Sequence, residues 1–343
     1  MPADRGEVTA QTLWLTAPRK LEFRRETVPP PGPGEVRVRA IASAISHGTE
    51  MLVYRGQIPP DLPLDLPTLA GGFGFPIKYG YAAVGRVMDV GTAVENCLPG
   101  DTVFVHHPHQ DIFLVPASMA VRLPAGLDPH LGLFTANLET AVNVLLDTPL
   151  HIGETAVVFG QGTVGLLITQ LLRHAGAGRV VAVDPLERRR DLALALGAHE
   201  SMAPDEDLPA IVRALTGGRG ADVAMEASGS APALQHAIEC VAVEGTIVVV
   251  SWYGTKPATL TLGGHFHRGR VRLRSSQVGR LNPELSPRWD NTRRLAVVTD
   301  LLPRLHLEGL ISHRFPFGEA SSAYHLIDEH PDECVQVVLT HGE

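Results

Sequence analysis

The chain has 343 residues, enough for about two domains and for cores that need no disulfide staples. With 44% hydrophobic, 19% charged and 5% aromatic residues it is not a largely disordered chain, and its 34 glycines and 27 prolines announce many turns without a fibrous period. A net charge of −8 argues against nucleic acid as a main partner.

The three cysteines, Cys97, Cys240 and Cys334, lie far apart and build neither a disulfide framework nor a clustered zinc site. Met1–Glu7 has no apolar signal-peptide core, and no apolar run approaches the roughly 20 residues of a membrane span. A soluble, cytoplasmic protein with no membrane partner is expected.

The first 145 or so residues read as short strands between Gly/Pro turns. Pro29–Gly34 is a turn cluster, and Val36–Ile41 behind it alternates like a half-buried strand, as does Val84–Val90. Pro99-Gly100-Asp101 punctuates the approach to a strand over Thr102–Val105. A β-rich lobe, open or curled into a partly closed barrel, is expected here.

Near residue 150 the texture changes. Ala156–Phe159 and Val180–Val183 are continuous apolar runs, each typical of a strand covered on both faces. Helical patterns follow them at Val164–His174 and Leu186–Leu196. Strand 222–225, helix Ala231–Cys240 and strand Thr246–Val250 continue the alternation. A parallel sheet with crossover helices results. A helix over about Thr292–Leu305 and a strand at Val335–Leu339 close the chain.

Gly160-Gln161-Gly162-Thr163-Val164-Gly165 is a G-x-G-x-x-G between a buried strand and a helix, and Asp184 ends the next buried strand. Gly160 permits the tight turn, Gly162 lets backbone approach a pyrophosphate, and Gly165 lets the helix pack closely on the strand. The helix N-terminus offers N–H groups and a positive dipole end to the phosphates. Asp184 accepts from ribose hydroxyls and repels a 2′-phosphate, which favours NAD over NADP. Arg188, Arg189 and Arg190 partly offset that repulsion. The plain alternative is a strand–turn–helix with a surface aspartate.

These residues, taken in order with Pro31–Val36, Gly48-Thr49-Glu50, Gly80, Val84–Val87, Pro99–Val103, Leu196-Gly197-Ala198, Gly220–Val223 and Ile311–Pro316, give the chain its resemblance to the medium-chain dehydrogenase/reductase superfamily of zinc-type alcohol dehydrogenase-like proteins. The resemblance implies an α/β fold: a β-rich GroES-like catalytic domain over 1–145 and 285–343, and a doubly wound Rossmann NAD-binding domain over 146–284. It also implies a homodimer paired along the nucleotide-binding sheets. By the same resemblance Thr140 lies beside the nicotinamide, Ser228 and Gly229 end one strand of the nucleotide domain, and Ser251 and Trp252 end the next.

The family's catalytic zinc motifs are broken. His47-Gly48-Thr49-Glu50 has histidine for cysteine, Gly80-Tyr81-Ala82 stands where Gly-His-Glu is expected, and Ala136 falls at the third ligand position. Zinc needs about four converging N, O or S donors. Only His47 qualifies directly, with Glu139, His107 or His109 as improvised partners, so no metal site is assigned. The pattern around Ser46–Glu50 and Gly80-Tyr81 most resembles the branch of bacteriochlorophyllide hydroxyethyl dehydrogenases, which implies oxidation of a secondary alcohol to a ketone.

Without a metal, proton transfer falls to side chains. His47 titrates nearest neutrality, and Tyr81 and Thr49 hold or relay the proton. Each has a duller reading: His47 fixes its loop, Tyr81 walls the cleft, and Glu139 starts a helix. Pro108 breaks strand geometry, so His106, His107 and His109 need not share a face; they read first as solvated loop residues, next as substrate contacts and last as metal ligands. His265 and His267 read as interface or surface residues on a strand. The apolar segment 64–79 either walls a pocket for a bulky or apolar ligand or packs a core.

The leading expectation is an NAD-dependent, zinc-independent secondary alcohol dehydrogenase acting on a small molecule. A quinone or enone reductase, a catalytically inactive dinucleotide-binding protein and a zinc enzyme with remodelled histidine ligands are the alternatives. The acidic Asp184 separates the first from the quinone reductases, which usually prefer NADPH.

Overall fold

The computed structural model describes residues 6–64, 71–204 and 207–342, and divides into two compact units: 1–136 with 299–343, and 137–298.

The first unit is β-rich. β1 (Val8–Ala17) and β2 (Lys20–Val28) form an antiparallel ribbon. β3 (Glu35–Ile45) leaves the proline-rich turn, gives way to the short α1 (Thr49–Tyr54), and pairs antiparallel with β4 (Ala83–Val90). β5 (Thr102–Val105), β6 (Ile112–Pro116), β7 (Val121–Arg122) and α2 (Pro129–Gly132) follow.

β3 is less half-buried than its alternation suggests. Val36, Val38 and Ala40 form one core face, but Arg37 on the other face is 1% exposed. Its guanidinium pairs with Asp89 at 2.5 and 2.8 Å and reaches the Gly6 carbonyl at 2.7 Å. The cation is buried because a carboxylate is buried with it.

The second unit has buried strands at its centre. α3 (Thr135–Asp147), whose first two residues belong to the first unit, leads to β8 (Thr155–Phe159), α4 (Thr163–His174), β9 (Arg179–Val183), α5 (Glu187–Ala195) and β10 (Glu200–Met202). Then come α6 (Leu208–Leu215), β11 (Ala221–Glu226), α7 (Ala231–Cys240), β12 (Val241–Val249), α8 (His265–Arg268), β13 (Arg272–Ser275) and α9 (Asn291–Leu301), whose last three residues belong to the first unit. All five strand pairings are parallel, in the order β10-β9-β8-β11-β12-β13. The order reverses between β8 and β11, the doubly wound arrangement in which ligands bind at the carboxyl ends of the strands.

β14 (Ile311–Pro316), α10 (Ala320–Glu329) and β15 (Gln336–Thr340) return to the first unit and complete its seven-stranded sheet, ordered β14-β15-β3-β4-β5-β7 with β6 against β3. The α/β class with a β-rich unit and a Rossmann unit is therefore the observed fold. The three cysteines are all free and buried, Cys97 and Cys334 in the first unit and Cys240 in the second.

Two local expectations are overturned. His265 and His267 lie on a helical turn, not a strand. Two glycines precede the turn and Gly269 ends it, while the His265 Nε2–H donates to the Val241 carbonyl at 2.8 Å. The segment carrying His106, His107 and His109 is not a solvated loop: His107 is 9% and His109 0% exposed. Its backbone is taken up by neighbouring strands, Leu13 N–H donating to His109 O at 3.1 Å and Ala40 N–H to Asp111 O at 2.7 Å.

Candidate functional site

The nucleotide fingerprint occupies the β8–α4 junction, and each glycine meets a different demand. Gly160 has φ +89°, and a Cβ there would lie 2.7 Å from the Ser228 nitrogen. At Gly165 a Cβ would fall 1.9 Å from the Gly160 carbonyl oxygen and 3.8 Å from Val158 Cγ1 of β8, so this glycine seats the helix on both the loop and the strand. At Gly162 a Cβ would meet nothing within 4 Å. That glycine therefore leaves the open side of the loop clear. No side chain caps α4, whose Ncap is Gly162. Thr163, Val164 and Gly165 supply the first turn, where N–H groups and the dipole favour an anion.

Buried polar groups fix this loop. Gln161 is fully buried; its Nε2 donates to Val158 O at 2.9 Å and its Oε1 accepts from Thr169 Oγ1 at 3.0 Å. Asp184, 2% exposed, ends β9 and accepts from the Gln161 N–H at 2.7 Å and the Leu186 N–H at 2.9 Å. Its carboxylate thus ties the glycine loop to the second strand. Arg189 Nη1 stands 3.9 Å from Asp184 Oδ2, and Arg190 donates to the Asp184 and Pro185 carbonyls at 2.9 Å.

At the ends of β11 and β12 the structure brings Ser228, Gly229 and Ser251 together. Ser251 Oγ accepts from the Gly229 N–H at 2.8 Å. The organiser is Glu226, which sequence reasoning missed. Wholly buried, its Oε1 accepts from Ser228 N at 2.7 Å, Ser228 Oγ at 2.6 Å and Gly229 N at 2.8 Å. The Tyr253 hydroxyl donates to Oε2 at 3.1 Å. An acidic residue closing the apolar run of β11 was the available signal. Trp252 is 38% exposed at the end of the neighbouring strand.

Thr140 lies half-buried on α3. Its neighbour Glu139 is more than a bare helix-start residue: Arg294, 4% exposed, donates to it at 2.6 Å and also to Asn143 Oδ1 at 2.7 Å.

In the first unit, the turn between β3 and α1 places Ser46, His47 and Thr49 in succession. The Tyr81 hydroxyl donates to Ser46 Oγ at 2.6 Å. Burial pushes the Tyr81 phenol up to about 12, with the Glu50 charge adding to it, while hydrogen bonds with Ser46 and Thr49 pull the other way. The phenol is thus protonated at neutral pH and flanked by two hydroxyls that would steady a phenolate. His47 is half-buried one residue on.

His107 stacks on Phe113 with ring centroids 4.0 Å apart and donates from Nδ1 to Pro108 O at 2.9 Å. Burial holds its pKa down to about 3, so it packs as a neutral ring. His109 turns instead toward Glu50, at 2.7 Å. His106 meets Phe104 edge-on.

The two implied groups fare differently. A dinucleotide fits: the open space over Gly162, the uncapped helix and the carboxylate at the end of β9 are the features it needs. Zinc does not fit. The three family ligand positions hold an imidazole, a protonated phenol and the methyl of Ala136. Among the described residues no group of three or more His, Cys, Asp or Glu side chains could hold a metal ion.

A parallel sheet with this loop and this acidic strand end, in a chain that also carries a β-rich unit, defines a nucleotide-linked dehydrogenase. The chain belongs to the zinc-binding dehydrogenase family of the medium-chain dehydrogenase/reductase superfamily, and residues 163–295 match the model of that family, "Zinc-binding dehydrogenase". D-guloside 3-dehydrogenase of Escherichia coli K12 is 29% identical over 329 residues, 89% of this chain and 93% of that protein. The 2-dehydro-3-deoxy-L-galactonate 5-dehydrogenase of Pseudoalteromonas atlantica is 30% identical over 246 residues, covering 66% and 72%. A short chain alcohol dehydrogenase from E. coli CFT073, solved with NADH, superposes with a TM-score of 0.80 at 20% identity, over 97% of this chain and 99% of that one. A zinc-binding dehydrogenase from Sinorhizobium meliloti, solved with NADP, gives 0.78 at 21% identity over 97% and 99%. The chain is an oxidoreductase of this family.

Proposed function

We propose that this enzyme interconverts a secondary alcohol and a ketone with NAD as hydride carrier, and that its own side chains manage the proton in place of zinc. The observation that carries the reading is the Tyr81–Ser46 pair, 2.6 Å apart, at the position of a family zinc motif.

Bound NAD supplies a nicotinamide that takes or returns hydride. The protein's task is the proton on oxygen. Because Tyr81 stays protonated at neutral pH, it serves as the acid in ketone reduction, donating to the oxygen that gains negative charge. Ser46 and Thr49 then share the charge left on the phenol. Alcohol oxidation runs the same proton path backwards: the Tyr81 oxygen receives the substrate proton, and His47, whose side-chain type titrates nearest neutrality, passes it on to solvent.

Gly160, Gly162, Thr163, Val164 and Gly165 hold the pyrophosphate, and Asp184 the ribose hydroxyls. Arg189 tempers the Asp184 charge without cancelling its repulsion of a 2′-phosphate, so NAD is preferred. Thr140, Ser228, Gly229, Ser251 and Trp252 complete the cofactor site. The names of the two relatives, a glycoside 3-dehydrogenase and a keto-sugar-acid 5-dehydrogenase, favour a ring or chain hydroxyl of a small polyhydroxylated molecule as substrate. A homodimer paired along β13 belongs to the same proposal.

NAD and NADP titrations, with turnover of methyl gulosides and sugar acids, test it. The expected result is tighter binding of NAD, lost preference in Asp184→Ser, and kcat reduced about a hundredfold or more in Tyr81→Phe. Full activity in Tyr81→Phe, or activity that follows added zinc, would discard the proton scheme.

A further inference from the structure

Glu50 and His109 take no part in the chemistry above, yet both side chains are wholly excluded from solvent. Glu50, on α1, gathers three donors: the Ser46 N–H at 2.9 Å on Oε2, and on Oε1 the His109 Nε2–H at 2.7 Å and the Tyr324 hydroxyl from α10. His109 is held on its other side by Ser43 of β3, whose Oγ is 2.7 Å from Nδ1. Its ring also fills the space beside Gly80: a Cβ on that glycine, which has φ +123°, would lie 2.9 Å from the imidazole. Parts of the first unit far apart in sequence thus converge on one carboxylate.

Burying a carboxylate is costly unless donors satisfy it, and this complete set marks a site whose geometry is over-determined. Both ends of the Tyr81–Ser46 hydrogen bond hang from it. Ser46 is fixed through its backbone N–H by Glu50, and Tyr81 follows directly on the glycine that packs against His109. The family motif at Gly80-Tyr81-Ala82 lacks its histidine; here an imidazole arrives beside that motif from the β5–β6 connection instead.

We propose that Glu50 and His109 are positioning residues that hold the Tyr81–Ser46 pair in its donating geometry. The proposal rests on the reading of Tyr81 as the proton donor. It assigns the two buried residues no contact with substrate.

The test uses the whole chain labelled with 3-fluorotyrosine. Its five tyrosines give five fluorine resonances, and Tyr81→Phe assigns the one that matters. The expected result is that His109→Ala and the isosteric Glu50→Gln both move the Tyr81 resonance, with Tyr253 of the other unit unmoved. His109→Gln, which keeps an N–H donor for Glu50, should bring it back toward the wild-type position. A Tyr81 resonance that stays in place while that of Tyr324 shifts would overturn the proposal. If His109→Ala does not fold, Glu50→Gln carries the test alone.

Kinetics with NAD and a methyl guloside separate positioning from general stability. The expected loss in kcat for Glu50→Gln is about tenfold to a hundredfold, with KM and NAD affinity unchanged. In a Tyr81→Phe background the same substitution should cost nothing more, whereas additive losses would overturn the proposal. Absence of turnover by the wild-type protein with every probe would remove the functional reading, and the fluorine spectra would still decide the positioning.

Discussion

Single carboxylates organise both units. Asp184, Glu226 and Glu50 are each almost or wholly buried, and each binds backbone N–H groups of a loop that the proposed chemistry uses. A carboxylate is suited to this task because it accepts several hydrogen bonds at once, and bonds from N–H groups to a charged oxygen are stronger than neutral ones. The buried His107 behaves oppositely. Burial depresses His107 to about 3, so between that value and the ordinary histidine range the unfolded chain binds a proton that the folded chain does not. Stability therefore rises with pH through this window and is lost on acidification from about 6.5 downward. Denaturant titrations of wild type and His107→Phe at pH 7 and pH 5 check the sign. His107→Phe, which keeps a ring against Phe113, should lose less stability on going to pH 5, by up to about 1 kcal/mol per pH unit. Equal acid sensitivity would show that His107 is not the titrating group.

At the level of elements, β13 is the exposed edge of the parallel sheet, with Leu273 41% exposed on it. An open edge offers unpaired backbone groups, which native proteins cover or pair. The proposed dimer uses that edge, so wild-type protein should sediment as a dimer and Leu273→Pro as a monomer. A wild-type monomer at micromolar concentration would refute the pairing. The core strands of this sheet were readable because two-sided burial writes continuous apolar runs: β8 and β9 sit where such runs occur, and β11 continues the alternation. The glycine loop was readable because its spacing is local. What the sequence concealed was long-range. Glu50 and His109 are 59 positions apart, and no pattern announces that an imidazole from one segment answers a carboxylate on another. The histidine segment at 106–109 misled because a proline that breaks regular geometry still left its backbone paired with β1. His265 misled because spacing by two fits a strand, whereas the flanking glycines allow a helical turn.

Across the whole molecule, the distribution of its thiols has a practical use. All three cysteines are free, and none is more than 1% exposed. Burial raises the pKa of Cys97 and pushes the Cys240 thiol up to about 12, so these sulfurs resist alkylation while the fold is closed. Cys240 lies in the core cluster of the nucleotide unit, and Cys97 and Cys334 in two different clusters of the β-rich unit. Pulse alkylation followed by peptide mass spectrometry should therefore label none of the three in the native protein, and during heating should time the opening of each core separately. Saturating NAD should delay Cys240 if the dinucleotide binds where Gly162 leaves room, since a ligand of the folded state suppresses opening. Rapid labelling of any of the three under native conditions would contradict the packing described above. The chain carries its own unfolding clock, read without an added probe site.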